Sequence, residues 1–438
     1  MILYFCIVSE AQLLTESPER PRGKGRVEME KLFAVCDLDT FYVSVERLLD
    51  PTLIGKPVIV GGDPKGRGVV ASCSYEARAY GVRSGMSSRD AFLLCPNAIF
   101  IRGHGEYYSY YSRLVKEILA NFTPSVTALS IDEFLCDFSG MVGIECLYRT
   151  PEEVAKKVRE KIYLQTGLRI SVGMGANPLI AKVSASVAKP DGFIVVPEGQ
   201  EAEFLAPLPM EKLPGVGEVI GEKLTEMGLR TIGDIAKMPL HILKSHFGKI
   251  GESLHAKALG GACGSFSESL VISSTENEAI LSHPFCKSIG HEETFQDTAD
   301  PTEILSILAG LCAEAGFRLR EKALTTSLIT LKLRYSDFKT VSMQEPVHCI
   351  FADEDIFAKA KELFNRLYTR RMPVRLVGVR LSRLTKNLHE IPLFEWEKRL
   401  KKRAFYQAVD EVRGKLGLKS ALPLSAMRIK CSFSQPKN

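Results

Sequence analysis

No stretch of this sequence approaches the roughly 20 consecutive apolar residues that a bilayer-spanning helix needs. A membrane-embedded protein is therefore not expected. The opening MILYFCIV is apolar, but it is short, has no basic residue before it and runs into acids and prolines, unlike a secretory signal. Eleven cysteines are present without a C-x-x-C pair or a Cys/His cluster, and their number is odd. That argues against a disulfide framework or a zinc site, and for reduced core thiols in a cytoplasmic protein. Two nucleotide-binding signatures are missing as well: GGDPKGRG lacks the order G-x-x-x-x-G-K-[ST], and GMGA lacks the rest of the dinucleotide fingerprint. Any nucleotide site must be built another way.

What is present is an ordinary globular composition, 45% hydrophobic and 25% charged over 438 residues, long enough for roughly two to four domains. The net charge of +5 conceals an asymmetry, because residues 395–438 hold eleven Lys/Arg against four Asp/Glu and leave the remainder slightly acidic. Such a tail is either a solvated helical face or an arm held near a polyanion. The polar, nearly aperiodic EAQLLTESPERPRGKGRVEMEK carries two prolines and reads as part of a disordered leader over residues 1–30, so that the functional chain begins near Met29.

Regular structure is expected from LFAV, a strand, and FYVSVERLL, whose apolar positions have helical spacing. PEEVAKKVREKIYLQTG reads as an amphipathic helix with Pro in its first turn and Gly at its end. NPLIAKVSASVAKPDG reads as a helix stopped by Pro190 and Gly192. Strands and helices interleave to about residue 196, which argues an α/β or α+β catalytic body. A helical, glycine-punctuated module follows to about 265. Beyond it, SIGHEETF, a long helix, SLITLKLRYSDF, another helix and RLVGVRLSRL form a small α/β sandwich to about 388.

The stretch ALSIDEFLCDF, residues 128–138, places Asp132 and Glu133 side by side in a strand-like apolar run. Desolvating an ionised carboxylate without a partner is expensive, so adjacent acids there point to a cation. AVCDLDTFY adds Asp37 and Asp39 at a strand end; two apart, they share a face if the strand continues and could meet Asp132 and Glu133 from a neighbouring strand. Three carboxylates make the hard, oxygen-rich setting that Mg²⁺ prefers, and two such ions about 4 Å apart suit in-line nucleotidyl transfer. Helix caps or salt bridges are the plainer use for any one of these acids. SYEAR sets Tyr75 and Arg78 on one helical face, where Arg can contact phosphate oxygens, and Lys189 offers a further point charge. EKLPGVGEVIGEKLTEMG reads as helix, Gly-rich turn, helix, in which Gly215 and Gly217 would let backbone N–H groups approach a DNA phosphate. P-G-x-G turns also serve as plain connectors.

In order, DLDTFYVSVE, YEARAYGVRSGM, SIDE, SVGMGANPLIAKVSASVAKPDG, LPGVGEVIGEKL and KSIGHEETF resemble the Y-family, translesion DNA polymerases of the bacterial DNA polymerase IV type, over roughly residues 31–390. The resemblance implies a multi-domain α+β fold, a right-hand polymerase. Its palm would cover residues 31–48 and 104–196, and its small fingers 49–103. A helical thumb with a helix-hairpin-helix would cover 197–266, an α/β little finger 283–388, and a basic tail 389–438.

The resemblance also implies roles. Asp37, Asp132 and Glu133, with the backbone carbonyl of Leu38, would hold two Mg²⁺ ions that activate the primer 3′-hydroxyl and escort the pyrophosphate. Tyr42 matches the steric gate that excludes ribonucleotides. Phe41, Tyr42, Ser72, Tyr75, Arg78 and Lys189 match nucleotide-binding positions, and Val69 and Ala71 match small residues that roof the nascent base pair. Asp39 and Asp137 would serve structure. Enzymes of this type commonly carry a sliding-clamp peptide, Gln-Leu-x-Leu-Phe. The candidate is EIPLF, with Glu390 for Gln and Ile391 for Leu, and with Leu393 and Phe394 retained as anchors. The same segment could instead pack the tail helix onto the little finger.

The expected activity is template-directed DNA synthesis of low fidelity past lesions, without proofreading, by a monomeric cytoplasmic enzyme using primer–template DNA and deoxynucleoside triphosphates. A catalytically silent DNA-binding paralogue is the alternative, against which the intact Asp37, Asp132 and Glu133 argue. A nucleotide cyclase shares the two-metal logic, but the helix-hairpin-helix and little finger speak against it.

Overall fold

Alternation of small and apolar side chains in FAVCDL produces β1 (Phe33–Leu38), whose successive residues enter two different cores. In the computed structural model, which describes residues 31–143, 147–261, 286–386 and 396–422, the chain divides into two units, Met1–Thr275 and Glu276–Asn438. The first begins with β1 and α1 (Phe41–Leu49), joined by a turn in which Thr40 has a left-handed φ of 42°. Next come β2 (Val58–Gly61), β3 (Val70–Cys73), α2 (Tyr75–Ala79), α3 (Ser88–Leu94) and β4 (Ile99–Ile101). These strands make a three-stranded sheet in the order β3-β2-β4. Ser74 and Ser87 start the two helices, each side chain accepting a first-turn backbone N–H.

Helix α4 (Gly105–Ala120) leads to β5 (Val126–Ala128) and β6 (Glu133–Asp137). Then α5 (Pro151–Thr166) starts at the capping Thr150 with Pro at its first position and stops at Gly167, φ 72°, as its sequence predicts. β7 (Ile170–Gly175), α6 (Pro178–Ala188) and β8 (Phe193–Val195) complete a five-stranded sheet in the order β5-β6-β1-β7-β8. Ala34, Cys36 and Leu38 face a core shared with α1, α4 and α5, whereas Val35 and Leu135 face the core beneath α6. Gly173 is where α6 lies against β7: a Cβ there would stand 2.0 Å from the Ala185 nitrogen.

The core under α6 continues into α7 (Glu201–Leu205), α8 (Glu218–Glu226), α9 (Ile232–Lys237), α10 (Leu240–Phe247) and α11 (Lys249–Ala258), through Leu205, Leu224, Ile232, Leu243 and Leu254. The helix expected before the Gly215 turn is only one 3₁₀ turn, Met210–Lys212. Pro207, Pro209 and Pro214 crowd it, and each proline disfavours helical backbone at the residue before it.

The second unit holds β9 (Ser288–Thr298), α12 (Pro301–Glu321), β10 (Thr325–Tyr335), β11 (Thr340–Ile350), α13 (Asp353–Leu367), β12 (Val374–Thr385) and α14 (Trp396–Leu416). Its strands pair antiparallel in the order β11-β10-β12-β9. The sequence does not signal β11, because Pro346 weakens a strand reading. The strand forms at the sheet edge, where a missing donor is tolerated. The basic tail is neither a fully solvated face nor a free arm over its described length. Arg413 of α14 bonds Asp353 at 2.9 Å and Asp410 bonds Arg320 at 2.7 Å, with Tyr406 buried beside them, while Lys401, Arg403 and Lys415 remain exposed.

The leader and the candidate clamp residues Ile391, Leu393 and Phe394 lie outside the described residues. Among the described residues no helix is long and apolar enough to cross a membrane.

Candidate active site: three carboxylates faced by two lysines

Only one of the adjacent acids lies in a strand, contrary to the expectation from ALSIDEFLCDF: Glu133 opens β6 and Asp132 precedes it. β5 ends at Ala128 and β6 starts at Glu133; between them the backbone N–H groups of Leu129 and Ser130 donate to the Glu133 carbonyl at 2.8 and 3.2 Å, closing a tight turn. Asp132 stands in that turn, its carboxylate hydrogen-bonded by the Ser130 hydroxyl. The Leu38 N–H donates to the Asp132 carbonyl at 2.9 Å, which ties the turn to the end of β1. Asp37 lies directly opposite Glu133 in the antiparallel register. Three carboxylates thus gather at one end of the two central strands.

Asp39 does not join them. β1 stops at Leu38, so the shared face that a longer strand would provide is absent. The Asp39 carboxylate turns the other way and is only 4% exposed. It accepts hydrogen bonds from the Ser171 hydroxyl at 3.0 Å, the Asp191 N–H at 2.7 Å and the Tyr75 hydroxyl at 3.4 Å. Asp137 accepts the Ser139 N–H at 2.9 Å. Both are structural acids.

Two ammonium groups face the carboxylates. Lys189 Nζ is 2.6 Å from Asp37 Oδ1, and Lys182 Nζ is 2.5 Å from Glu133 Oε2. Burial pushes the Asp37 carboxyl up to about 7, against the pull of Lys189, and the charges of Glu133 and Asp132 add to the rise. Lys182 lies within the segment SVGMGANPLIAKVSASVAKPDG but is not among the site residues expected from the sequence. It projects from α6, whereas Lys189 is the extended residue that follows the helix. The three carboxylates are neighbours, near enough for the charges of Glu133 and Asp132 to act on Asp37, but with Asp37 and Glu133 paired to lysines no three acidic, His or Cys side chains among the described residues are drawn together tightly enough to hold an ion. The donor set nonetheless fits a hard divalent cation, since it is all oxygen and its negative charge is now balanced by cations.

The aromatic wall beside the acids comes from α1. Tyr42 is half-buried, and both burial and the charge of Asp132 raise its phenol above the usual range. Its ring stacks on Tyr108, with centroids 4.2 Å apart. Phe41, by contrast, is 2% exposed in the core, so its side chain is closed to a nucleotide and only its backbone is available. The Arg78 guanidinium lies 5.2 Å from the centre of the Tyr75 ring, and the Asp39 bond brings Tyr75 to the turn that carries Lys189. On β3 and the residue before it, Val69 and Ala71 are exposed whereas Ser72 is buried. Gly215 adopts φ 108°, and Gly217 precedes the first turn of α8. Lys257 Nζ holds that turn through the Pro214 carbonyl at 3.0 Å.

Residues 36–186 match the impB/mucB/samB family, residues 286–392 its C-terminal domain, and residues 211–261 the DNA polymerase-iota thumb domain. The DNA polymerase IV of Treponema denticola is 35% identical over 391 residues, covering 89% of this chain and 95% of that protein. The chain belongs to the DNA polymerase IV family. A DNA polymerase IV of Dehalococcoides mccartyi is 34% identical over 400 residues, covering 91% of this chain and 98% of its own length. Among solved structures, a Y-family DNA polymerase chimera of Dbh and Dpo4 aligns with a TM-score of 0.65 at 27% identity, over 81% of this chain and 100% of that one. A Dbh ternary complex aligns with a TM-score of 0.51 at 26% identity, over 80% of this chain and 98% of that one. The expected multi-domain, right-hand α+β polymerase fold is therefore present.

Proposed function

We propose that Asp37, Asp132 and Glu133 form the catalytic centre of the translesion DNA polymerase that membership of the DNA polymerase IV family makes this chain. One observation carries the reading: the β1–β6 register sets Asp37 against Glu133 while the Leu38 N–H holds the Asp132 turn in place, so three carboxylates share one site. In this reading residues 31–48 and 104–196 are the palm, 49–103 the fingers, 197–266 the thumb and 283–388 the little finger.

The three carboxylates and the Leu38 carbonyl would hold two Mg²⁺ ions, which when bound supply the positive charge that nucleotidyl transfer needs at its attacking and leaving oxygens. The chain's own groups do the rest. Lys189, released from Asp37, turns to the triphosphate, and Tyr75 and Arg78 meet it from α2. Ser72 lies beside them on β3. Tyr42 stands where a ribose 2′-hydroxyl would lie and excludes it. The small exposed Val69 and Ala71 roof the nascent pair and leave room for a damaged base, at the cost of fidelity. Gly215 and Gly217 let thumb amides approach the DNA backbone. Ile391, Leu393 and Phe394 are assigned to a sliding clamp, the enzyme being otherwise monomeric, cytoplasmic and without proofreading.

Primer extension tests this. With Mg²⁺ and one deoxynucleotide at a time, the protein should add the complement of the template base in preference to the other three, with frequent misinsertion, and with all four it should extend past at least one of a panel of template lesions. Tight binding of primer–template with no extension under any condition would overturn the reading in favour of a silent paralogue.

A further inference from the structure

Glu46 is a buried carboxylate with no part in the chemistry described so far. It lies on α1 one turn after Tyr42 and is 3% exposed. Its Oε1 accepts the Tyr108 hydroxyl at 2.5 Å and the His104 N–H at 3.2 Å, and its Oε2 is 3.0 Å from His104 Nδ1. Tyr108, on α4, is 5% exposed, and its ring stacks on Tyr42 with an interplanar angle of 17°. A carboxylate is costly to bury unless donors meet it. Here the donors come from α4 and the residue before it, so the acid fixes α4 to α1 at the level of Tyr42.

We propose that Glu46, acting through the Tyr108 hydroxyl, is a positioning residue for sugar selection, holding the Tyr42 ring in the plane that excludes a 2′-hydroxyl. The inference rests on the assignment of Tyr42 as the steric gate. A half-exposed tyrosine has a soft χ2, so neighbours set its ring plane. Stacking fixes the plane only if the stacked partner is itself fixed. Tyr108 is fixed by a short hydrogen bond to a buried carboxylate, which is stronger than a neutral one. Discrimination against a ribonucleotide is a difference in transition-state fit, and a gate free to tilt loses part of that difference.

The test is kcat/KM of the full-length protein for dCTP and for CTP opposite a template guanine, in wild type, Tyr42→Ala, Tyr108→Phe, Glu46→Ala and Glu46→Gln, with melting temperatures as a check on folding. Tyr108→Phe removes one oxygen and keeps the stack. The deoxy-to-ribo ratio should fall about tenfold in Tyr108→Phe and Glu46→Ala, mainly through a lower KM for CTP. Glu46→Gln, which still accepts from Tyr108, should retain part of the selectivity. Adding Tyr108→Phe to Tyr42→Ala should cost nothing more, because the two act as one unit. Should Glu46→Ala fail to fold, Tyr108→Phe decides alone. If Tyr42→Ala relaxes selection while Tyr108→Phe keeps the wild-type ratio, or loses both nucleotides equally, the inference is wrong. If Tyr42→Ala itself keeps full selectivity, the gate assignment fails and the inference falls with it.

Discussion

Lys182 Nζ approaches Glu133 Oε2 to 2.5 Å from a helix whose following residue, Lys189, closes on Asp37 at 2.6 Å. Two of the carboxylates that suit a divalent cation are thus each met by an ammonium group, Glu133 by Lys182 and Asp37 by Lys189. An ammonium on Glu133 competes with any cation for the same oxygens.

Replacing Lys182 with Met should therefore tighten Mg²⁺ binding by the free protein about threefold to tenfold, a differential of up to about 1.4 kcal/mol. The midpoint of the Mg²⁺-dependent rise in melting temperature reads it directly. Unchanged or weaker affinity would mean that Lys182 does not compete for Glu133.

A pH effect is expected in the second unit. Burial holds the His291 imidazole below its usual range, with Glu314 opposing that shift and Arg318 reinforcing it. The unfolded chain then binds this proton more readily than the folded one. Stability is unaffected well above the unfolded pKa of about 6.5 and falls as pH drops through it. The unit holds a four-stranded sheet and long helices, so far-ultraviolet circular dichroism can follow its unfolding in urea. Between pH 7.5 and 5.5 the wild type should lose more stability than His291→Gln; equal losses would show that His291 is not held neutral.

The tail helix is bound by buried charge. Arg413 and Asp353 have side chains only 2% and 6% exposed. Removing one member of such a pair leaves the other buried without its full complement, a cost on the order of 3 kcal/mol. Arg413→Met should lower the second unit's urea midpoint accordingly. A change below about 0.5 kcal/mol would show that solvent reaches Asp353.

Gly173→Ala tests the packing behind the site. Its new methyl would meet the Ala185 nitrogen and the Ala181 carbonyl at 2.0 and 2.3 Å, both backbone and unable to swing aside. Destabilisation on the order of 3 kcal/mol is expected, with α6 and its lysines displaced. A thermal melt within a degree of wild type would contradict this contact.

Local signals were enough where one element carries its own instructions. Thr150, Pro151 and Gly167 mark both ends of α5, and Pro178 and Pro190 bracket α6. The carboxylates of Asp37, Asp132 and Glu133 were legible as a set, although the turn holding Asp132 was not. Leu129 and Ile131 alternate with polar residues as a strand would, and no Gly or Pro marks the reversal. The spacing of Asp37 and Asp39 puts them on one face only if the strand continues; β1 stops at Leu38, and the partners that hold the Asp39 carboxylate, Ser171 and Asp191, lie far away in sequence. Glu46 gave no signal at all. Its burial depends on Tyr108, 62 residues on, and helical periodicity within α1 holds no record of that partner.

The most direct measurement is single-turnover incorporation of one correct deoxynucleotide on prebound primer–template with Mg²⁺, comparing wild type with Asp132→Asn, which keeps shape and removes one charge. The account predicts unchanged DNA affinity and a rate lower by at least about a thousandfold, the scale on which metal-held charge acts in phosphoryl transfer. Incorporation by Asp132→Asn at near wild-type rate would contradict it, and the acids beside β1 would then be structural.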